Sequence, residues 1–519
     1  MMRARDTVRA VAFASLVAVG ACAAPLDGDE PPIEPAVGEL RAAITQGDIT
    51  WTFDDAYEAG QFANGDWWVV GPVTIVAIDP PAMTVAGRAI NGAMINPDAS
   101  CAHGYDSRLY GDYGDDLSGP RYHPELNVAL GVAAGEPLHV AASSSLVSTI
   151  SDLDPEGAGR VSQLRTAAVL TVLDAPPPVG AFRPPYAGTD KRIRHREAEL
   201  DYGALARLPP AADAPSLAAT AAGFARVWLD HCPEWISTYL HPSDNQPAYY
   251  REFTTLTGVA GLLLNSAYAD ADKRDLLVNV VQVGLDHAGN LEAGARWGVN
   301  GHNNGRKFPI VFAGAVLGDA ELRDVGHTYA DQFFGPGDPR NVAGAFSEDK
   351  QVFYVAETAP GVFNWGHGGY DAGFVGVPEW GNFHTEQPAS DDARWSDGNP
   401  YRLCCSANGW IGPALTLRVM GLIEAWHQPA YFDYVDRYAT REASTEWFSW
   451  DAWTGAMWRA HRGRRRPGSA EHHHDRVASA ALPNAPSNSR GHGPWRTPEN
   501  TEARRGALRQ DKARRGALR

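Results

Sequence analysis

The stretch W-G-V-N-G-H-N-N-G-R-K-F-P, Trp297 to Pro309, packs Asn300, His302, Asn303, Asn304, Arg306 and Lys307 into eight consecutive residues. Gly298, Gly301 and Gly305 punctuate it, and glycine lets a backbone take turns that side chains forbid. Apolar sequence at helical spacing lies on both sides, D-L-L-V-N-V-V-Q-V-G-L-D-H before it and F-P-I-V-F-A-G-A-V-L after it. The pattern predicts a polar loop between two buried helices. Its amides and cations are donors suited to anions and sugar hydroxyls, and His302 can also move a proton. A plain cap on the helix starting near Arg306 is the alternative, but a cap needs one Asn or Ser.

Working outward, residues 214–462 continue in helical periods. S-L-A-A-T-A-A-G-F-A-R-V-W-L-D-H opens with a Ser cap, and W-I-G-P-A-L-T-L-R-V-M-G-L-I-E-A-W-H comes late. Short loops between successive helices suggest antiparallel pairs. Between about 340 and 405 the period breaks into Gly, Trp, His, Tyr and Asp, and long irregular segments inside a domain are usually functional. Upstream, residues 47–185 read as β-rich. D-W-W-V-V-G-P-V-T-I-V-A-I and A-A-V-L-T-V-L are bounded by turn signals such as Asn64-Gly65. A β-sandwich-like domain is expected there, with the Pro-rich residues 173–190 as its boundary.

The N-terminus reads as a targeting segment, with Arg3, Arg5 and Arg9 before the short apolar run Val11 to Val19. Val19-Gly20-Ala21-Cys22 resembles a bacterial lipobox. That implies a signal peptide over 1–22, lipidation of Cys22 and export, with an outer-membrane anchor expected and a periplasmic or secreted form as the alternative. Residues 23–46, rich in Pro, Asp and Glu, are expected to form a disordered tether. Four further thiols remain, Cys101, Cys232, Cys404 and Cys405. An exported chain can oxidise them. Cys404-Cys405 admits a vicinal disulfide or pairing elsewhere, and the spacing is unlike a zinc site.

The net charge of −17 conceals an asymmetry: from residue 462 onward 14 Lys+Arg face 5 Asp+Glu, leaving 31 against 57 before it. So acidic a body argues against general nucleic-acid binding. Residues 463–519, with a His triplet at 472–474 and A-R-R-G-A-L-R repeated at 503–509 and 513–519, read as a disordered basic tail. The sixteen Trp suit stacking on sugar rings and suit a large core equally well.

Three more clusters carry chemistry. H-P-S-D-N-Q-P-A-Y-Y-R-E offers Tyr250 and Arg251. N-W-G-H-G-G-Y-D-A-G-F-V-G-V-P-E-W-G-N-F-H offers His367, Tyr370, Glu379, Trp380 and His384. Y-R-L-C-C-S-A-N-G-W offers Arg402. Asn, Arg, His and Tyr together suit β-elimination from a uronate. Donors neutralise the C6 carboxylate, a base removes the C5 proton and an acid protonates the departing oxygen. Glycoside hydrolysis needs two apposed carboxylates instead, for which Asp230, Asp371, Glu379 and Asp436 are available.

The W-x-x-N-G-H-N-N-G-R-K-F-P stretch, with V-P-E-W-G-N-F-H, Y-R-L-C-C-S-A-N-G-W and F-D-Y-V-D-R-Y, resembles exported polysaccharide lyases with an α/α toroid, of the glucuronan and alginate lyase kind. The resemblance implies a β-domain followed by a toroid catalytic domain over 200–462, acting on a polyuronate without a redox cofactor. A structural divalent cation is compatible with it, and no catalytic metal is expected. Carried over, His302 and Tyr370 would transfer protons, and Asn303 and Arg306 would neutralise the carboxylate. Asn300, Tyr250, Arg251, His367, Glu379, Trp380, His384 and Arg402 would hold sugar. Each has a structural alternative: a capping His302, a buried Tyr370, an Arg306 paired to a carboxylate, a Glu379 in an ion pair. A glycoside hydrolase, or a glycan-binding surface lipoprotein without catalysis, are the competing functions.

Overall fold

A computed structural model describes residues 36–108, 121–154, 163–233, 237–245, 252–299, 301–330, 344–363, 370–381, 406–442 and 451–464. The chain is mixed α and β: a curled mixed sheet comes first and helices follow. The strands are β1 (Glu39–Gln46), β2 (Ile49–Gln61), β3 (Trp67–Val70), β4 (Val73–Asp79), β5 (Met83–Val85), β6 (Arg88–Ile90), β7 (Ala93–Ile95), β8 (Leu138–Val140), β9 (Ser144–Ser151) and β10 (Leu164–Leu173). Eight of them form one sheet in the order β7-β9-β10-β3-β2-β4-β8, with β1 also on β2, while β5 and β6 make a separate hairpin. All its pairings are antiparallel except β3 with β10.

Two expectations change here. The β-rich region is one curled sheet where a sandwich was expected. The second sheet's place against β9 and β10 is taken by later chain. Alternate residues Leu146, Ile150, Ala168, Leu170 and Val172 face the sheet's own core. Val147, Ala167 and Val169 face the other way, onto Val227, Leu229 and Leu240. Burial on both faces explains the continuous apolar run in β10. The tether expected to reach residue 46 also ends earlier. E-L-R-A-A-I-T-Q forms β1, which pairs with β2 from Glu39 opposite Ala59 to Gln46 opposite Ile49.

The helices are α1 (Leu217–Ala222), α2 (Ser237–Leu240), α3 (Glu252–Leu264), α4 (Asp270–Glu292), α5 (Lys307–Leu317), α6 (Ala320–Arg323), α7 (Val325–Thr328) and α8 (Ser347–Gln351). Helical segments Ile411–Met420, Ile423–Trp426, Pro429–Glu442 and Ala452–His461 follow. The Ser216 hydroxyl caps α1 by accepting from Ala219 N–H. Short strands β11 (Val352–Tyr354), β12 (Glu357–Ala359), β13 (Val362–Phe363) and β14 (Pro378–Trp380) form two small ladders, β11 on β14 and β12 on β13. Helices α4 and α5, which flank the polar loop, touch closely. A Cβ on Gly284 would stand 2.3 Å from the Pro309 carbonyl oxygen, so no larger residue fits.

The segment expected to be a boundary is core. Arg183 and Tyr186 are each 1% exposed. Prolines fix the strap's backbone and remove N–H donors. The Gln282 side chain replaces a strand partner, accepting from Arg183 N–H at 3.0 Å and donating to its carbonyl at 3.0 Å. Arg183 then bridges sheet and helix, to Asp66 at 2.5 Å and Asp286 at 2.6 Å. Among the described residues no helix is long and apolar enough to cross a membrane.

Candidate functional site

The loop 301–306 forms a short 3-10 turn, Gly301–Asn303, and leads into α5. Its side chains point inward. His302, Asn303, Asn304, Arg306 and Lys307 are all buried. Asn303 donates to the carbonyls of Pro233 (3.1 Å) and Gly298 (3.2 Å). Arg306 donates to its own turn, at His302 and Asn304 carbonyls, and to Asp230 Oδ1 at 3.1 Å. Its guanidinium also lies 3.5 Å from the Phe253 ring centroid. Asp230 further receives His287 Nε2 at 3.0 Å, with His241 Nδ1 at 4.0 Å. Burial pushes the Asp230 carboxyl up, but Arg306 and His287 outweigh it and hold the group well below the usual carboxylate range. Arg306, expected to neutralise a substrate carboxylate, therefore neutralises one of the protein's own.

Much of the rest of the loop is engaged in the same way, with Asn304 Nδ2 and Arg306 Nε left without a partner among the described residues. Lys307 donates to both Asp349 oxygens (2.8 and 2.7 Å) and to the Trp426 carbonyl. Gln351 donates to Asn304 Oδ1 at 2.9 Å and accepts from Trp380 Nε1 at 3.0 Å. Gly305 N–H donates to Glu348 Oε1 at 2.8 Å. Burial pushes Glu348 up to about 7.

Two sugar-holding expectations are corrected nearby. Glu379 is fully buried and its Oε1 lies 3.3 Å from Arg437 Nη1, so it is an ion-pair residue. Trp380 is 1% exposed and packs in the helical core. Tyr370 is buried too, edge-on to Phe353 and Phe374 at ring distances of 6.2 and 5.6 Å. Nine of the ten tryptophans among the described residues are buried, so the Trp content reflects core here and not a sugar platform. Asn300, Tyr250, Arg251, His367, His384, Arg402, Cys22, Cys404 and Cys405 lie outside the described residues, as do residues 1–35 and 465–519.

A second polar set lies where the strap crosses β9 and β10, and sequence reading did not assemble it. A disulfide joins Cys101 to Cys232 across 131 residues. It brings His103 and Tyr105 to His231, the neighbour of Asp230. Tyr105 and His231 rings stand 6.1 Å apart edge to face, and His103 stacks on Tyr105 at 6.0 Å. From the strap, Tyr186 places its hydroxyl 3.2 Å from His231 Nδ1. From α4, Asn290 stands beside Tyr186. Three of these groups' atoms have no hydrogen-bond partner among the described residues, Tyr105 Oη, His231 Nε2 and His103 Nδ1, while the Asn290 amide interacts with the Tyr186 hydroxyl. Buried polar groups are nearly always paired, so such a concentration needs a reason.

Burial lowers His231 to about 4 against the pull of Asp230 and Asp98, so its imidazole is neutral at pH 7. Burial raises the Tyr105 hydroxyl far above its ordinary value, so it keeps its proton. In the tautomer whose Nδ1–H donates to Tyr186, His231 Nε2 carries a free lone pair. The set holds a neutral base, a protonated acid and an amide donor.

The signals that could have found the set were the cysteines. C-A-H-G-Y and L-D-H-C each place His beside Cys, and pairing those two thiols brings the flanking groups together. No family model, no curated protein and no solved structure matches this chain.

Proposed function

We propose that the protein is an exported polysaccharide lyase that cleaves a uronic-acid polymer by β-elimination, its helices closing into an α/α toroid and Cys22 carrying a lipid anchor. The observation that supports the reading is the buried Tyr105, His231 and Asn290 set, in which the Tyr105 hydroxyl and His231 Nε2 have no hydrogen-bond partner among the described residues. His231 Nε2 removes the C5 proton, and the electron pair forms the C4=C5 double bond. The C4–O bond breaks, and Tyr105 delivers its proton to the departing oxygen. Asn290 donates to the C6 carboxylate, where charge grows in the transition state. Asp230 and Asp98 stabilise the imidazolium that forms. The Cys101–Cys232 disulfide supports an oxidising compartment. All of these side chains are buried, so the reading requires the polymer to gain access to them.

Hydrolysis is less well supported. Asp230 is tied to Arg306 and Glu379 to Arg437, while Asp436 faces Arg418 and Arg462 and Asp371 caps a turn.

The test is ultraviolet absorbance of the unsaturated uronate during incubation with glucuronan, alginate and pectate. Product from the wild type that disappears in Tyr105→Phe and His231→Gln, with Tyr370→Phe still active, is the expected result. General acid or base loss typically costs about 10²–10⁴-fold. Absence of product on all three polymers, or full activity in Tyr105→Phe, overturns the reading.

A further inference from the structure

A pair of histidines outside that site has no part in the chemistry above. We infer that His327 and His427 form a binding site for a borderline divalent ion such as Cu²⁺, Ni²⁺ or Zn²⁺. The inference is independent of the lyase reading.

The two rings stand 3.8 Å apart between centroids, tilted by 35°, and both residues are exposed. Their backbones are locked together from below. Helix α7 meets the helix Ile423–Trp426 at Gly326, where a Cβ would stand 2.5 Å from the Trp426 carbonyl oxygen. His427 follows that helix in the left-handed region, φ +55°. Glycine or asparagine usually takes this position, and a branched or bulky residue there is held at a cost. The conformation aims its ring at His327.

Neutral imidazole suits these ions, which rank high in affinity for nitrogen donors. In the stacked arrangement the lone pairs lie in the ring planes. A rotamer change at one exposed ring turns its nitrogen toward the other, a motion of picoseconds to nanoseconds that leaves the backbone in place. Asp324 and Glu424 add negative potential, Asp324 while paired to Arg323, and the Lys307 ammonium opposes it at His427. Among the described residues no group of three or more His, Cys, Asp or Glu is arranged to hold a metal. Two imidazoles with water completing the shell is therefore the coordination expected.

The experiment is Cu²⁺ titration of the full chain, followed by electron paramagnetic resonance and by the metal-induced change in Tm. The His triplet at 472–474 is a competing imidazole cluster, so wild type is compared with His327→Ala and with His427→Gly. Expected is one fewer bound ion in each variant and loss of the metal-induced Tm rise. Metal-free His427→Gly should melt no lower than wild type, because glycine suits φ +55°. Equal stoichiometry in all three proteins, or an unchanged metal-induced Tm rise in the variants, overturns the inference.

Discussion

The loop Trp297–Pro309 and the set around His231 both bury His and Asn, yet they differ in charge: the loop adds Arg306 and Lys307, and the set adds Tyr105 and Tyr186. In the loop, Arg306 and Lys307 are matched to Asp230 and Asp349, and Asn303 and Asn304 are matched to carbonyls and Gln351. Around His231, a phenol and an imidazole nitrogen are buried without partners among the described residues. Polar density along a sequence thus reports where a fold concentrates hydrogen bonds. It does not report which of those groups remain available to a ligand.

Four measurements sharpen or break that contrast. The largest effect is expected in the loop. Arg306→Ala leaves Asp230 buried without its main cation and should lower unfolding free energy by about 3–5 kcal/mol in urea titration. Its pH dependence has a defined sign. The Asp230 carboxyl is held below its unfolded value, so its contribution is present above that value and fades as pH falls through the acid range. A loss under about 1 kcal/mol in Arg306→Ala would mean the loop is not internally engaged.

Next comes the bond that assembles the second set. Cys232→Ala should cost about 2–4 kcal/mol. It should reduce the proposed lyase activity well beyond that of a control variant destabilised equally elsewhere. Activity that tracks stability alone would deny the disulfide any part in bringing Tyr105 to His231.

Glu348 gives a smaller and differently signed effect. Its folded pKa, about 7 through burial, lies above the unfolded value. The native state then binds more protons between the two, so stability falls as pH rises across that window. Glu348→Gln, which keeps an acceptor for Gly305 N–H, should flatten that slope in urea titrations from acid to neutral pH. A slope unchanged by the substitution would assign it elsewhere.

The smallest stability effect is the most discriminating. Tyr105→Phe removes a buried hydroxyl that bonds to nothing among the described residues, so stability should hold or rise, by up to about 1 kcal/mol. A substantial loss would reveal a partner for that hydroxyl and place the second set with the loop.

Much of the fold was legible because period reports burial. D-W-W-V-V-G-P-V-T-I-V-A-I became β3 and β4, divided at Gly71-Pro72, and the apolar period of residues 270–292 became α4. The strap misled because prolines mark linkers and buried extended segments alike. Only Gln282 and Asp286, about a hundred residues away, reveal which one it is. The second set was illegible for a related reason. Tyr105, Tyr186, His231 and Asn290 come from four separate places, and each is unremarked in its own neighbourhood. Their meeting depends on a thiol pairing that spacing does not determine.

That pairing alters how the chain responds to cutting. Cys101 lies among the strands and Cys232 beyond the first helix, so the covalent ring encloses β8, β9, β10, the strap and α1. A protease that nicks the backbone once inside the ring yields two pieces that still migrate as one until a reductant is added. A chain truncated at residue 185 loses Cys232 and leaves Cys101 without its disulfide partner. The strands are therefore poor candidates for excision as a free-standing fragment, however separable their composition looks.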